Sequence, residues 1–175
     1  MGYNHPDALV ERPSLAATEF RKAMGNFATG VAVVTAAEGD NWFGMTVNSL
    51  TSVSLAPPLL LMCPKKGSST GEAVARTGRF AVNILAEDQQ DLCMRFVGEN
   101  AARFGGLDQV QMRDGLPLIK GSIVHLICRV YDVHPGGDHD IIVGEVLAGS
   151  VEDGEPLLFH KGTFCRRSVG VAGCA

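Results

Sequence analysis

The chain has 175 residues, of which 46% are hydrophobic and 19% charged, a composition typical of a globular protein and not of a disordered one. This length predicts a single domain with enough chain to bury a sizeable core. The formal net charge of −4 argues against a nucleic-acid-binding protein, which would carry a basic surface.

The N-terminal part of the chain predicts a flexible segment followed by a helix. Residues 1–13 form the segment, and they lack the basic start and the apolar stretch of a signal peptide. Ser14 is a suitable N-cap for the helix, and Gly30 follows its end. Apolar residues recur at helical spacing on one face, namely Ala16, Phe20, Ala23, Met24 and Phe27.

Strands are predicted where apolar runs are bounded by turn residues. These runs cover residues 31–37, 42–47, 58–63, 80–85 and, as a short last strand, 156–160. Two long strands, 122–133 and 139–151, are joined by a Pro-Gly-Gly turn, which is the strongest hairpin signal in the chain. Further helices are expected at the end of the polar stretch 64–77 and over 87–98, and a glycine-rich loop at 104–106.

The order of these elements predicts a mainly β protein, an antiparallel barrel with a few peripheral helices. The 21 glycines fit this fold, because barrels use glycine at bends and where the backbone approaches a ligand. We expect the domain to cover residues 14–165 and residues 166–175 to be a flexible C-terminal tail.

The cysteines and the apolar runs predict a cytoplasmic protein with no membrane partner. Polar residues and prolines interrupt the longest uncharged apolar run, residues 47–63, so it does not predict a membrane span. The cysteines lack CxxC or His-paired spacing, and we expect reduced thiols and no metal site. There are five of them: Cys63, Cys93, Cys128, Cys165 and Cys174.

Two polar clusters beside predicted strands are the candidates for ligand binding. Residues 44–54 (GMTVNSLTSVS) offer hydroxyls, an amide and backbone N–H groups beside an apolar wall. Residues 63–70 (CPKKGSST) combine two lysines and three hydroxyls before a helix N-terminus, a position that favours phosphate. An extended ligand with a polar ring edge and a phosphate would suit both clusters. The second cluster equally suits an N-cap and a solvated turn.

A histidine between two aspartates opens the second long strand, in the stretch GGDHDIIVGEV (136–146). Asp138 or Asp140 could fix the tautomer of His139, which would then orient a ligand. Alternatively, Asp138 closes an Asx-turn and His139 faces solvent. The chain carries neither a Rossmann nor a P-loop signature.

Five segments, in order, resemble the short-chain flavin reductases that partner two-component flavin-dependent monooxygenases. They are FRKAMGNFATGVAVVTA, GMTVNSLTSVSLAPPLLLMCPKKGSST, GRFAVNIL, GDHDIIVGEV and PLLFHKGTF, and the match covers residues 18–164. The resemblance implies a homodimer with a flavin-binding split β-barrel, antiparallel and Greek-key-like. It also implies reduction of free FMN or FAD by NADH or NADPH, with the reduced flavin diffusing to a partner monooxygenase.

The resemblance also assigns site residues. The loop along the isoalloxazine and ribityl chain corresponds to Gly44, Met45, Thr46, Asn48 and Ser49. The segment that reaches the flavin phosphate corresponds to Cys63, Pro64, Lys65, Ser69 and Thr70. A helix position near the cofactor corresponds to Arg95 and Phe96. His139 matches the catalytic histidine near the nicotinamide, and the C-terminal segment of that pocket corresponds to Lys161 and Phe164. Relatives often have tyrosine and arginine in this last segment.

Two other functions use the same fold. One is a non-catalytic barrel that holds flavin or haem, which would not need His139 in its Gly-Asp-His setting. The other is an oxidase that retains its flavin and acts on a small substrate. An oxidase of the pyridoxamine-phosphate type would carry a second cluster of basic residues for its substrate phosphate, and the sequence has one such cluster.

Overall fold

The structure is a computed structural model that describes residues 15–98 and 103–167. The predicted flexible segment 1–13, the Ser14 cap and the tail beyond residue 167 lie outside the described residues. The helices are α1 (Ala17–Met24), α2 (Ser69–Thr77) and α3 (Gln90–Arg95). The strands are β1 (Thr29–Gly30), β2 (Ala32–Glu38), β3 (Asn41–Val47), β4 (Thr51–Leu55), β5 (Pro58–Met62), β6 (Arg79–Ile84), β7 (Val110–Arg113), β8 (Leu116–Ile119), β9 (Val124–Gly136), β10 (His139–Val151), β11 (Leu158–His160) and β12 (Thr163–Cys165).

The main sheet is antiparallel, with the strand order β3-β2-β6-β9-β10-β5-β4. Its two edge strands, β3 and β4, are consecutive in the chain and joined by residues 48–50 alone. A flat sheet of this order would separate its edges by six strand spacings, roughly 29 Å. The connection spans at most about 15 Å from Val47 to Thr51. The sheet therefore curls into a barrel that stays open between β3 and β4, and the mainly β, split-barrel prediction is confirmed.

Hydrophobic clusters cover both faces of the central strands. The first contains residues of β2, β3, β5, β6, β9 and β10 together with Ala73 and Val74 of α2. The second lies on the other face and joins β2 to α3 and to Leu157 before β11. Strands β2 and β6 are buried along most of their length, because a strand covered on both faces reads as a continuous apolar run.

The predicted hairpin of two long strands is confirmed as β9 and β10. Gly136 pairs with His139, which leaves Gly137 and Asp138 as a two-residue turn. Gly137 has a φ of +73°, which side-chain-bearing residues rarely adopt and which the first central position of a type II′ turn requires.

Helix α1 is shorter than predicted, and no residue of it is buried. It ends at Met24 because the Asn26 side chain donates to the carbonyls of Lys22 and Ala23, at 2.9 Å and 3.2 Å. Phe27 therefore lies beyond the helix. It is 71% exposed, so no other described residue covers the predicted apolar face at this position.

Helix α3 begins at Gln90 and not at residue 87 as predicted. The preceding residues pair with the chain before β11, since Ala86 bridges Pro156 and Glu87 donates to the Glu155 carbonyl. Strands β1, β4, β7, β8 and β12 were not predicted. Within the described residues, no helix is long and apolar enough to span a membrane, and the four described cysteines are free.

Candidate functional site

The first polar cluster lies on β3 and packs against the end of α3. The Thr46 hydroxyl donates to the carbonyl of Cys93 at 2.6 Å, and its N–H donates to the carbonyl of Phe96 at 3.0 Å. A Cβ at Gly44 would lie 2.6 Å from the Phe96 ring, so only glycine lets strand and ring approach this closely. Met45 packs against the barrel core. Gly44, Thr46 and Phe96 thus form one wall of the site.

Arg95 fixes the loop at residues 103–105 instead of pointing to open space. Its guanidinium donates to the carbonyl of Arg103 at 2.6 Å and to that of Gly105. Arg103 in turn donates to the Gly44 carbonyl and is buried. Arg95 therefore joins α3 to residues 103–105, and this loop lies against β3.

Ser49 connects the two predicted polar clusters. Its hydroxyl accepts from the Cys63 N–H at 3.0 Å and contacts the Cys63 carbonyl at 3.4 Å. Burial raises the pKa of the Cys63 thiol, so the group is neutral at physiological pH and not a nucleophilic thiolate. Asn48, the neighbour of Ser49, is exposed at the opening of the barrel.

The second cluster contacts the turn between β9 and β10 directly. Lys65 forms an isolated backbone β-bridge with His139, and the Asp140 N–H donates to the carbonyl of the buried Pro64 at 3.0 Å. Lys66 donates its N–H to the Asp138 carbonyl at 3.0 Å. The Lys66 ammonium also donates to the Gly137 carbonyl at 2.7 Å. Lys66 thus fixes the turn that carries His139.

Of the two aspartates, Asp138 is the one that bonds His139. Its carboxylate lies 2.9 Å from Nδ1 of the imidazole, and the hydrogen bond from His139 lowers the pKa of Asp138. The His139 side chain is 42% exposed, so its free edge faces open space. The arrangement fixes the ring and leaves Nε2 for a ligand.

The N-terminus of α2 is capped and also holds an unused hydroxyl. Ser68 is the N-cap, and its hydroxyl accepts from the Gly71 N–H at 3.3 Å. Ser69 is exposed, whereas Thr70 is 1% exposed and its hydroxyl has no hydrogen-bond partner among the described residues. The first N–H groups of a helix lack intrahelical partners, so this end offers donors to an anion.

Lys161 and Phe164 lie far from His139 within one chain. The Lys161 N–H donates to the Gly25 carbonyl at 2.8 Å, and Phe164 stacks edge-on against Phe159 with ring centroids 5.4 Å apart. Their hairpin follows Leu157, which pairs with Leu85. Leu85 follows Ile84, which pairs with Val124 at the start of β9. His139 pairs with Gly136, at the other end of β9. Twelve residues of extended strand, about 40 Å, separate these two ends of β9.

A cleft of about 770 Å³ opens beside the α2 N-terminus, and we call it the Trp42 cleft. The Trp42 ring is 39% exposed and meets Phe104 edge-on, with centroids 5.7 Å apart. The lining comprises residues 40–44, 67, 69, 72 and 103–105. Sequence reasoning did not predict Trp42, Phe104 or Arg103 as site residues, and it included Lys66 in the second polar cluster without assigning it a role. Trp42 is the chain's single tryptophan, and its position beside Gly44 was the available signal.

The chain matches one protein family over most of its length. The family model described as flavin reductase like domain matches residues 24–168. The chain is 46% identical to an FMN reductase (NADH), SmoA, of Agrobacterium fabrum, over 85% of each protein. It is 37% identical to the reductase subunit HsaB of a flavin-dependent monooxygenase from Rhodococcus jostii, over 90% of this chain and 82% of that protein.

A solved structure shares the fold at comparable identity. It is the NADH:FAD oxidoreductase SgcE6 of Streptomyces globisporus in complex with NAD and FAD fragments. The TM-score is 0.84 and the identity 35%, and the alignment covers 89% of this chain and 94% of that one.

Proposed function

The chain belongs to the flavin reductase like family, and we infer that it reduces free FMN or FAD by hydride transfer from NADH. The observation that carries this inference is the continuous set of contacts from Ser49, just after β3, through residues 63–66 to the turn that holds His139. One surface thereby presents groups for a flavin and a positioned histidine for a nicotinamide. A flavin accepts the hydride at N5, and solvent can supply the proton.

The residues along this surface fit a flavin. Gly44, Thr46, Asn48 and Ser49 would follow the ring and the ribityl chain, with Phe96 behind the strand. The α2 N-terminus would hold the phosphate, because Ser69 is exposed there and the buried Thr70 hydroxyl has no hydrogen-bond partner in the described ranges 15–98 and 103–167. A buried hydroxyl without a partner costs about 1–3 kcal/mol, which a ligand oxygen would recover.

The role of His139 in this proposal is to orient the nicotinamide. Hydride transfer requires the two rings to stack with the reacting atoms about 3–3.5 Å apart, so positioning supplies most of the rate. With Nδ1 held by Asp138, the Nε2 edge is free to meet the carboxamide. NADH is the proposed donor because both the Agrobacterium and the Streptomyces proteins are named for it.

We further propose that the active unit is a homodimer. One chain holds His139 and Phe164 at opposite ends of β9, so they can share a nicotinamide site only if they come from two chains. The outer edge of β4, which pairs with no strand among the described residues, and the exposed apolar face of α1 also need a cover. A two-fold arrangement would provide it.

The reduced flavin would pass to a partner monooxygenase, as the HsaB name indicates for that relative. We place the protein in the cytoplasm, because its described cysteines are free and its donor is a reduced nicotinamide. Residues 14–165 are the proposed domain.

The test is an NADH-oxidation assay on the purified chain with no flavin, with FMN and with FAD, repeated with NADPH. We expect turnover that depends on added flavin. Flavin binding without turnover would support the non-catalytic alternative, and flavin that stays bound through purification would support the oxidase; either result would overturn the proposal.

A further inference from the structure

Lys66 contacts both residues of the two-residue turn that precedes His139. Its main-chain N–H donates to the Asp138 carbonyl at 3.0 Å, and its ammonium donates to the Gly137 carbonyl at 2.7 Å. These two carbonyls belong to the peptide groups on either side of the Asp138 Cα. Lys66 therefore fixes the main chain of Asp138 from both directions.

Lys66 is itself held by a tight turn that leads directly into α2. The Ser68 N–H donates to the Lys65 carbonyl at 3.1 Å, which closes this turn around Lys66. Gly67 has a φ of +77°, the conformation that the third position of a type II turn requires. Ser68 is also the N-cap of α2, so the turn and the helix are continuous. The main chain of Lys66 is thus anchored on the side away from the hairpin that it holds.

The Asp138 side chain passes this constraint on to the His139 ring. Its carboxylate lies 2.9 Å from Nδ1 of the imidazole. The hydrogen bond from His139 lowers the pKa of Asp138, and the positive charge of Lys65 lowers it to a smaller degree, so the carboxylate is charged at physiological pH. The Asp138 side chain is 83% exposed, so its position depends on the main chain of the turn. A movement of the turn therefore moves the ring.

We propose that Lys66 is a positioning residue for hydride transfer, because it holds the turn from which the Asp138 carboxylate orients the His139 ring. The proposal rests on the proposed function for the role of His139 at the nicotinamide. A lysine shortly before a helix N-terminus could instead bind the flavin phosphate. The geometry favours the turn, because the Lys66 ammonium already donates to the Gly137 carbonyl.

The test measures kcat/KM for NADH, with FMN as acceptor, in variants of the full chain. Lys66→Met keeps the length of the side chain and the main-chain bond to Asp138, and it removes the ammonium donor. The value of kcat/KM should fall about threefold to tenfold, the contribution of one net hydrogen bond. Lys66→Arg keeps a cationic donor and should retain kcat/KM within about twofold of the unchanged protein. The FMN dissociation constant should stay nearly unchanged in both variants.

A double variant separates positioning from a general structural role. If Lys66 acts through His139, its ammonium has no ring left to position once His139 is replaced by alanine. The double variant Lys66→Met, His139→Ala should therefore match His139→Ala within about twofold in kcat/KM, a non-additive result. A lysine that only stabilised the protein would lower kcat/KM by the same factor with and without His139.

Lys120→Met is the matched control. The Lys120 ammonium is likewise exposed and donates to a main-chain carbonyl, that of Asp108 at 3.3 Å. Lys120 is not among the residues proposed to bind flavin or nicotinamide, so kcat/KM should not change in this variant.

Hydrogen exchange gives a second readout that needs neither flavin nor NADH. The Asp140 N–H donates to the Pro64 carbonyl beside the turn, so its exchange reports local opening there. In the ligand-free protein this exchange should quicken about threefold to tenfold in Lys66→Met, and it should stay unchanged in Lys120→Met.

Three results would overturn the proposal. The first is an unchanged kcat/KM, or an unchanged Asp140 exchange rate, in Lys66→Met. The second is an equal loss of kcat/KM from Lys66→Met with and without His139. The third is weakened binding of FMN but not of riboflavin, which has no phosphate, since this would make Lys66 a phosphate ligand. Failure of the proposed function looks different, because the unchanged protein would then reduce neither flavin, while the exchange rates would still report whether Lys66 holds the turn.

Discussion

His139 is held by one neighbouring carboxylate and exposes one ring edge. Since Nδ1 contacts Asp138 at 2.9 Å, Nε2 is left to meet the nicotinamide carboxamide. We predict that His139→Ala lowers kcat/KM for NADH by about tenfold to a hundredfold, because a small misplacement of the reacting atoms has an effect of this size. Stopped-flow reduction of bound flavin by NADH measures the step directly.

His139→Gln is the companion variant, because its amide can meet the carboxamide and should recover part of the rate. Flavin dissociation constants should stay nearly unchanged in both variants. Activity should fall without vanishing, since solvent can supply the proton. Unchanged reduction kinetics in His139→Ala would show that the nicotinamide is held elsewhere.

Asp138 makes the folding stability of the protein depend on pH, and the direction of its pKa shift gives the sign of this dependence. The hydrogen bond from His139 lowers the pKa of Asp138 below its ordinary value of 3.8. A lowered carboxyl pKa contributes stability that is present above the ordinary value and is lost as pH falls through the lowered one. We predict that the melting temperatures of the unchanged protein and Asp138→Asn differ at about pH 5, where Asp138 is charged, and converge as the pH falls well below 3.8. A difference that persists at the lower pH would contradict this.

Helix α2 combines a structural cap with a proposed ligand contact, and its hydroxyls can be separated by substitution. Thr70→Val replaces a buried, unpartnered hydroxyl with a methyl group of the same shape. We predict that the melting temperature of the ligand-free protein does not fall, because no hydrogen bond is lost, while flavin affinity weakens. The double variant Ser69→Ala, Thr70→Ala should weaken flavin binding by about 1–3 kcal/mol. Titration calorimetry measures the affinity.

Ser68→Ala is the control on the same helix, because the Ser68 hydroxyl accepts from Gly71 and caps the helix. It should lower the stability of the ligand-free protein by about 1 kcal/mol and change flavin affinity less than the double variant does. If Thr70→Val instead lowers the melting temperature and leaves flavin affinity intact, the Thr70 hydroxyl is structural.

Local sequence patterns predicted the elements whose formation depends on residues close by in sequence. The β9–β10 hairpin was predicted because a glycine turn between two apolar runs is a short-range signal. Strand β4 was not predicted, because its residues are largely exposed and its pairing with β5 fixes it. The early end of α1 depends on Asn26, whose side chain competes for the helix carbonyls.

The resemblance predicted which segments form the site. It did not predict the roles of residues that act through side-chain contacts with distant parts of the chain. Ser49 and Cys63 are fourteen residues apart in sequence, and their contact continues the pairing of the unpredicted strand β4 with β5, in which Thr51 pairs with Leu61. Arg95 was assigned to the cofactor, yet its guanidinium bonds the carbonyls of the 103–105 loop. Lys66, unlike Lys65, was not assigned, although its ammonium fixes the His139 turn. No sequence pattern predicts such long-range contacts.

In the whole molecule, the barrel is open between β3 and β4. Within the described part of the chain, β4 pairs with no strand on its outer edge, and the apolar side chains of Phe27 and Leu55 are 71% and 94% exposed. Surfaces of this kind in a stable protein are usually covered by a partner. We predict a dimer of twice 18.5 kDa by light scattering. A mass near 18.5 kDa at working concentration would contradict it.

The same dimer makes a prediction about how the two halves of the nicotinamide site combine. If His139 of one chain and Phe164 of the other share a site, then His139→Ala and Phe164→Ala should each lower NADH turnover when assayed separately. If the two variants are mixed in equal amounts, unfolded and refolded together, half of the dimers would be hybrids. Each hybrid would carry one site with both residues intact. Turnover should therefore rise to about a quarter of that of the unchanged protein. Separately refolded variants, combined just before the assay, are the control. Equal turnover in the two mixtures would mean that each chain builds its site alone and that Phe164 only packs against Phe159.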